Sequence, residues 1–329
     1  MKQNDSNIAI TILDWHQQGR KIAIASVVET WGSAPQPIGS QLLIDEQGHF
    51  VGSVSGGCVE GAVVGEADEV LVTGKPVLLT FSVSDQMAWD VGLSCGGEIK
   101  VFIESFDDDK AVLLKQVIKY QRGRVPCVLV SDLSTGTQRL VSGQDYYGDA
   151  LALELGVVFA TGKSAIVESD TQWFVHLYDI PLKLIIVGAV HIAQHLVPIA
   201  KMVGFEVAVI DPRQSFASAE RFGDVTLVAK WPDEALDEFD LDSRTALVVL
   251  SHDPKIDDPA LRIGLASDCF YIGALGSRKT HGKRLERLND VEGLERIDGP
   301  IGLDIGAKGA AEIAFSIVGK LIETLRRGR

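Results

Sequence analysis

The carboxyl-terminal half of the chain alternates short, largely apolar runs with amphipathic segments. Apolar runs cover residues 184–187, 205–210, 246–250 and 270–274. An uninterrupted apolar run is typical of a parallel strand that is buried on both faces of its sheet. Segments between and after the runs carry apolar residues at helical spacing, most clearly residues 310–325. Strands that alternate with helices in this way predict a Rossmann-like, doubly wound parallel sheet.

The amino-terminal half carries shorter strands with a different pattern. Residues 41–45 and 50–54 predict a hairpin, because the turn sequence Glu46-Gln47-Gly48 separates them. An apolar stripe at helical spacing follows residue 58 and predicts a helix that runs to about residue 73. Further helices and strands alternate beyond it, so we expect an α/β domain with a mixed sheet in this half.

The change in pattern near residue 181 divides the chain. We predict one domain over residues 1–180 and a Rossmann-like domain over residues 181–329. The acidic stretch 106–110 is a candidate sub-boundary within the first domain. The predicted fold class is therefore α/β throughout.

Composition then narrows the class of protein. Asp and Glu outnumber Lys and Arg by 45 to 31, which gives a net charge of −14 at pH 7. So acidic a chain is poorly suited to bind nucleic acid or an anionic membrane. We see neither a signal-type apolar run nor the roughly 20 apolar residues of a membrane span. Four cysteines at irregular spacings predict no disulfide framework and no zinc site, and we expect a cytoplasmic protein.

Two of the cysteines adjoin paired glycines. Gly56 and Gly57 stand directly before Cys58, and Cys95 stands directly before residues 96–97, a second glycine pair. Paired glycines allow unusual backbone angles and the close approach of a ligand. We predict Cys58 in the first turn of a helix, where unpaired amides favour a thiolate. Cys58 and Cys95 are thus candidate reactive residues, and the alternative is two small buried residues in tight turns.

The first strand of the carboxyl-terminal half leads into a partial dinucleotide-binding motif. Gly188 follows the strand, His191 opens the next helix, and Asp211 lies 23 residues after Gly188 with Arg213 close behind it. Val190 replaces the second glycine of the motif, where the backbone must approach a pyrophosphate. The motif supports the fold, but it argues against a bound nicotinamide nucleotide.

Later strand ends supply stronger candidates for ligand binding. The turn at Gly276, Ser277, Arg278 and Lys279 combines a glycine, a hydroxyl and two cations at the start of a helix. Such a turn suits a phosphate or another anion. We expect the cations that follow it to form a solvated helix face; they are Lys283, Arg284 and Arg287.

Three further polar residues lie on loops that should reach the same sheet edge. His252 and Asp253 end one strand, and Asp304 precedes the last helix. His252 and Asp253, together with His191, are candidates for proton transfer, metal binding or cofactor binding, and Asp304 is a candidate for cofactor binding. Polar groups from separate loops do not make a metal site on sequence evidence, so we predict no metal site built from a cluster of side chains.

Taken together, these motifs resemble the XdhC/CoxI family, the accessory factors of molybdenum hydroxylases. The resemblance covers nearly the whole chain. Its motifs lie at residues 30–35, 52–61, 92–97, 187–193, 210–213, 251–254, 271–278 and 299–307.

The resemblance implies a cofactor chaperone rather than a turnover enzyme. Proteins similar to this one are expected to bind molybdenum cofactor transiently, as molybdopterin or its cytosine dinucleotide form. They are expected to support its sulfuration by a cysteine desulfurase and to pass it to a hydroxylase such as xanthine dehydrogenase or carbon monoxide dehydrogenase. The resemblance also implies a homodimer. In this interpretation Cys58 or Cys95 relays sulfur or contacts molybdenum.

Two other functions stay open at this point. The Rossmann-like sheet and Asp211 are compatible with an NAD(P)-dependent oxidoreductase. A non-catalytic scaffold that joins a desulfurase to a hydroxylase, without holding cofactor, would need neither cysteine.

Overall fold

The computed structural model describes residues 5–34, 36–57, 59–82 and 97–327. The chain divides into two compact units, Met1–Ile180 and Pro181–Arg329. Within the described residues, no helix has both the length and the apolar character needed to cross a bilayer.

An antiparallel sheet forms the first layer of the amino-terminal unit. Its strands are β1 Ile22–Trp31, β2 Gln41–Asp45, β3 Phe50–Gly52, β4 Val77–Phe81 and β5 Glu98–Phe106. They lie in the order β3-β2-β1-β5-β4, and each described pair is antiparallel. The predicted hairpin is confirmed, because Leu43 pairs with Val51 across β2 and β3.

Helices cover both faces of this sheet. The helices are α1 Asp5–Gln17, α2 Glu60–Thr73 and α3 Asp108–Arg122. The apolar stripe of α2 packs on one face, as its helical spacing predicts, through Val63, Ala67 and Val70. Helices α1 and α3 pack in a separate core that contains Ile22 and Ile24 of β1. The acidic stretch at 106–110 is the end of β5 and the start of α3, where the side chain of Asp107 caps the helix.

A second antiparallel sheet follows in the same unit. Its strands are β6 Cys127–Asp132, β7 Gln138–Ser142, β8 Ala165–Glu168 and β9 Gln172–Tyr178, in the order β7-β6-β9-β8. Helix α4, Ala152–Thr161, packs Leu155 and Val158 into the core beside it. The short strand β8 is an element that the sequence pattern did not predict.

The carboxyl-terminal unit is built on a six-stranded parallel sheet. Its strands are β10 Leu182–Val187, β11 Phe205–Ile210, β12 Thr226–Val228, β13 Thr245–Val249, β14 Tyr271–Ala274 and β15 Ile297–Asp298. They lie in the order β12-β11-β10-β13-β14-β15. This is the strand order of the doubly wound Rossmann fold, and the predicted fold class is confirmed.

Helices on both faces bury this sheet. They are α5 His191–Met202, α6 Ala219–Phe222, α7 Pro232–Ala235, α8 Pro254–Leu265, α9 Arg278–Arg287 and α10 Ala310–Arg327. One core joins α5 and α10 to the strands through Leu196 and Ile317. The core on the other face contains Ile256 and Leu261 of α8. Helices on both sides explain why these strands are largely apolar on both faces rather than alternating.

Candidate functional site

Four neighbouring strands of the parallel sheet end at one edge. They end at Val187, Ile210, Val249 and Ala274. The residues that follow these ends include predicted site residues from four loops: Gly188, Asp211, His252 and Gly276. Ligands of doubly wound sheets bind at the carboxyl ends of the strands, so this edge is the candidate site of the unit.

The turn at Gly188 joins β10 to α5 and leaves no room for a side chain. Gly188 has a φ of +106°, and a Cβ there would stand 2.6 Å from the backbone nitrogen of Ser251. Its N–H donates to the carbonyl of Ile210 at 2.8 Å. The first residue of α5, His191, is exposed and has Nδ1 3.3 Å from Oε1 of Gln194. The turn therefore fixes two loops of the edge against each other.

Asp211 is buried and braces the Gly188 turn. Its carboxylate accepts the N–H of Ala189 at 2.8 Å, the N–H of Arg213 at 3.0 Å, and the Arg213 guanidinium at 2.8 and 2.6 Å. Burial would raise the pKa of Asp211, but these hydrogen bonds, led by those from the Arg213 side chain, hold it below its usual range. The acid at this strand end in nicotinamide sites binds ribose hydroxyls, whereas protein donors engage the carboxylate of Asp211.

The loop after β13 holds polar residues at the same edge. Ser251 Oγ donates to Oδ1 of Asp257 at 2.7 Å and accepts the N–H of Asp253 at 3.0 Å. The carboxylate of Asp253 caps α8 by accepting the N–H of Lys255 at 3.0 Å. His252 is exposed and has a φ of +62°, in the left-handed region that few residues other than glycine adopt. Asp253 thus has a structural task, while His252 stays accessible to a ligand.

The Gly276 turn, residues 275–280, joins β14 to α9. Gly276 has a φ of +143°, and a Cβ there would stand 3.0 Å from Cγ2 of Thr280. Ser277 caps α9, because its Oγ accepts the N–H of Thr280 at 3.2 Å and lies 3.0 Å from the hydroxyl of the same residue. The turn requires glycine for its backbone angle and presents two hydroxyls beside the helix amino terminus.

Two cations follow this cap. Arg278 and Lys279 are both exposed, and neither pairs with an acid elsewhere in residues 97–327. The amino terminus of a helix carries partial positive charge and unpaired N–H groups. Because the side chains add two full charges to that end, the predicted binding of an anion at this turn has a physical basis.

Arg284 lies beside the Gly276 turn and is a candidate site residue that the sequence interpretation missed. The expectation that it lies on a solvated helix face is wrong, since it is 2% exposed. Its Nη2 donates to the carbonyl of Leu275 at 2.7 Å and lies 3.8 Å from Oδ2 of Asp257, which is also buried. The sequence held one signal of this burial, because Arg284 lies one helical turn before the buried Leu288.

Burial dominates the electrostatics of this pair. It lowers the pKa of Arg284, although the charge of Asp257 opposes the shift. It raises the pKa of Asp257, although the Ser251 hydroxyl and Arg284 oppose that shift. Arg287 behaves differently: it is exposed and pairs with Asp258 at 2.7 Å, as expected for a solvated face.

The remaining predicted residue of this unit is Asp304. It is exposed on the loop that leads into α10, and among the described residues no hydrogen bond links it to the turns above. Across residues 5–34, 36–57, 59–82 and 97–327, no three His, Cys, Asp or Glu side chains are grouped in a way that could hold a metal ion.

The glycine turn of the amino-terminal unit holds an anion of its own. The carboxylate of Glu60, the first residue of α2, is buried against the turn that precedes the helix. It accepts the N–H groups of residues 54, 55, 56 and 57 at 3.2, 2.9, 3.1 and 2.9 Å. It also accepts the hydroxyls of Ser53, at 2.7 Å, and Ser55. Burial opposes ionisation, but the hydrogen bonds outweigh it and lower the pKa of Glu60 to about 2.

This arrangement changes the interpretation of the glycine pair. The N–H groups of Gly56 and Gly57 were candidates for binding a cofactor, and in the structure both donate to Glu60. Helix α2 begins at Glu60, and the N–H groups of residues 54–57 all donate to the carboxylate of that residue. Cys58 and Cys95 themselves lie outside the described residues.

Two cysteines that the structure describes are buried. Burial raises the pKa of Cys127 to about 12 and also raises the pKa of Cys269. A buried thiol with a raised pKa is a poor nucleophile. Neither residue was a predicted site residue, and the structure gives both a packing role in the core.

Comparison with known proteins identifies the relatives of this chain. Residues 15–82 match the XdhC and CoxI family, and residues 184–321 match the XdhC Rossmann domain. A Bacillus subtilis protein that is named as a probable xanthine dehydrogenase subunit is 26% identical over 96% of this chain and 97% of its own length. The Escherichia coli molybdenum cofactor insertion chaperone PaoD is 26% identical over 92% of this chain and 83% of its own.

A solved structure agrees with both sequence matches. A Bacillus halodurans crystal structure described as a xanthine dehydrogenase superposes with a TM-score of 0.82 at 26% identity. The superposition covers 98% of this chain and 96% of that one, so the likeness extends over both units. The chain belongs to the XdhC and CoxI family.

Proposed function

We propose that this protein is a cytoplasmic maturation factor that binds molybdenum cofactor and delivers it to a molybdenum hydroxylase. The observation that carries the proposal is the alignment of 92% of the chain with a relative named as a molybdenum cofactor insertion chaperone. The cofactor is cargo in this interpretation, and the target is an enzyme of the xanthine dehydrogenase or carbon monoxide dehydrogenase type.

The Gly276 turn fits one part of that cargo. Molybdenum cofactor carries a phosphate on its pterin, and a phosphate needs donors and positive charge. Arg278 and Lys279 would hold this phosphate, together with the hydroxyl of Ser277 and the free N–H groups of α9. Buried below the turn, Arg284 has two nitrogens without a partner among the described residues, which also favours an anionic ligand.

Other residues of the same edge have distinct proposed roles. His191, His252 and Asp304 are exposed and would contact the rest of the cargo. Gly188 and Asp211 would act indirectly, by fixing the loop geometry.

Sulfur chemistry would involve Cys58 and Cys95. We propose one or both as a sulfur relay or a molybdenum contact during sulfuration by a cysteine desulfurase, since a thiolate is a soft ligand. Bound cofactor would supply the molybdenum centre at which a terminal oxo ligand is exchanged for a sulfido ligand. A homodimer would carry two copies of this site. Each copy would interact first with the desulfurase and then with the hydroxylase.

Anaerobic co-elution tests the proposal. Purified protein is mixed with molybdenum cofactor, passed through gel filtration, and analysed for molybdenum and pterin in the protein peak. We expect retention by the unaltered protein, strong loss in the double variant Arg278→Ala/Lys279→Ala, and no loss in Arg287→Gln, which removes a charge already paired with Asp258. Absence of both molybdenum and pterin from the peak of the unaltered protein would refute cofactor binding.

Further measurements test the role of the two cysteines and the two alternative functions. Cys58→Ala and Cys95→Ala should each reduce retention, and unchanged retention in both would remove the cysteines from the mechanism. Target activation by the double cysteine variant, with both partners still bound, would favour a scaffold. Calorimetric titration with NAD and NADP should give no heat, and saturable heat would favour an oxidoreductase.

A further inference from the structure

Arg284 is a buried cation whose hydrogen-bonding capacity is incomplete. Its Nη2 donates to the carbonyl of Leu275 at 2.7 Å. Its Nε and Nη1 are buried and have no hydrogen-bond partner among the residues that the structure describes. An unpaired buried donor is costly, more so when it is charged, and native proteins pair most such groups. These two nitrogens therefore call for an acceptor that the described residues do not supply.

The guanidinium lies against the Gly276 turn. Nη2 is 3.8 Å from the point where a Cβ on Gly276 would stand, so the guanidinium lies within van der Waals distance of the turn. Thr280, one helical turn before Arg284, lies beside the same point. The capping hydroxyls and the amino terminus of α9 are thus close to the guanidinium.

Asp257 does not satisfy this cation. Its Oδ2 is 3.8 Å from Nη2, which is beyond hydrogen-bond distance. Its other oxygen accepts the hydroxyl of Ser251 at 2.7 Å. The carboxylate therefore offsets part of the charge of Arg284 and leaves its N–H groups available.

We propose that the Gly276 turn and Arg284 form an oxyanion site that takes one phosphoryl group, with Arg284 as its buried ligand. The turn supplies helix N–H groups and the Ser277 hydroxyl, and the guanidinium of Arg284, whose Nη2 lies against the turn, completes the set of donors. The identity of the natural ligand, a pterin phosphate, rests on the proposed function. The site itself does not, and it is testable with inorganic phosphate.

Calorimetric titration of the full chain with inorganic phosphate at low ionic strength tests the site. Arg284→Lys keeps the charge but loses the forked donors, so we expect phosphate binding to weaken about tenfold or more. Arg287→Gln is the matched control on the same helix and should stay within about twofold, since its charge is exposed and paired. Equal effects of the two variants would overturn the proposal, because they would indicate general electrostatics.

Asp257→Asn provides a test of opposite sign. Removing the carboxylate near Arg284 should strengthen phosphate binding several-fold, and a misfolded variant would not bind more tightly. Unchanged or weaker binding would overturn the proposal even if Arg284→Lys fails to fold. Melting curves without phosphate check the fold of each variant.

Two further comparisons test how many phosphoryl groups the site binds and whether it depends on the proposed function. Pyrophosphate should bind no more than about tenfold more tightly than phosphate, and a larger gain would contradict a site for one phosphoryl group. If the unaltered protein binds phosphate but retains no molybdenum cofactor, the proposed function fails and the oxyanion site stands. If it retains cofactor but binds no phosphate, the oxyanion site fails alone.

Discussion

The carboxylate of Glu60 offers the sharpest test of how the amino-terminal unit is held together. Glu60→Gln keeps the size of the side chain but removes its charge and turns an amide NH2 group toward N–H donors. Four backbone N–H groups and two hydroxyls would lose a charged acceptor. We therefore expect the variant to be less stable at neutral pH, with the turn at residues 53–57 affected most.

The lowered pKa of Glu60 gives the size of the expected loss of stability. A fall from the ordinary value of 4.5 to about 2 corresponds to about 3 kcal/mol of stabilisation of the ionised form, and about 2 kcal/mol is expected after solvent screening. Because the folded state lowers the pKa, this stability is fully present above pH 4.5. It is lost as the pH falls from about 4.5 toward 2.

Urea unfolding of both proteins between neutral and acidic pH measures the effect, and amide hydrogen exchange reports on residues 54–57 directly. The difference in unfolding free energy should shrink as the pH falls below 4.5, where Glu60 becomes neutral in the unfolded chain. Glu69→Gln, an exposed acid on the same helix, is the control and should change stability by less than about 0.5 kcal/mol. A Glu60→Gln difference that is negligible, or that does not depend on pH, would refute the reasoning.

Three more predictions concern the carboxyl-terminal unit. Gly188→Ala should cost more than about 2 kcal/mol in urea unfolding, because its Cβ would stand 2.6 Å from the Ser251 nitrogen at a φ of +106°; stability equal to the unaltered protein would show that the turn can shift. Asp211→Asn should cost about 2–3 kcal/mol at neutral pH by breaking its contacts to Arg213, and the loss should fade under acid, since the pKa of Asp211 is lowered. Arg262→Ala removes an exposed ion pair with Asp290 and should change the free energy of unfolding in urea by less than about 1 kcal/mol. A larger change would contradict the interpretation of this pair as a weak surface contact.

Elements that follow from local pattern were predictable from the sequence. The apolar run at residues 184–187 became β10 because a strand covered by helices on both faces excludes polar side chains. The hairpin of β2 and β3 followed from a turn sequence between two short strands. The turn at Gly276 was also predictable, because glycine, a capping serine and cations are local features.

Features that depend on distant partners were not predictable in this way. Arg284 resembles its exposed neighbours in the sequence, and its burial depends on packing beside Asp257, which lies on another helix. Asp211 was a candidate ligand because of its spacing from Gly188. Its carboxylate also accepts hydrogen bonds from the nearby Arg213 and from the backbone N–H of Ala189, 22 residues earlier, and the second of these contacts depends on the fold. A single sequence does not specify which donors surround a carboxylate once the chain is folded.

Glu60 ties a surface loop to the interior of its unit. It belongs to α2, whose position depends on Val63, Ala67 and Val70 packing against the sheet, while its carboxylate gathers the turn at residues 53–57. A substitution that shortens one of these apolar side chains would leave a cavity under α2. Because the helix carries Glu60, such a cavity would also loosen the turn at residues 53–57, even where the shortened side chain does not contact that turn. The conformation of the exposed glycine pair therefore depends on the packing of the apolar core beneath it.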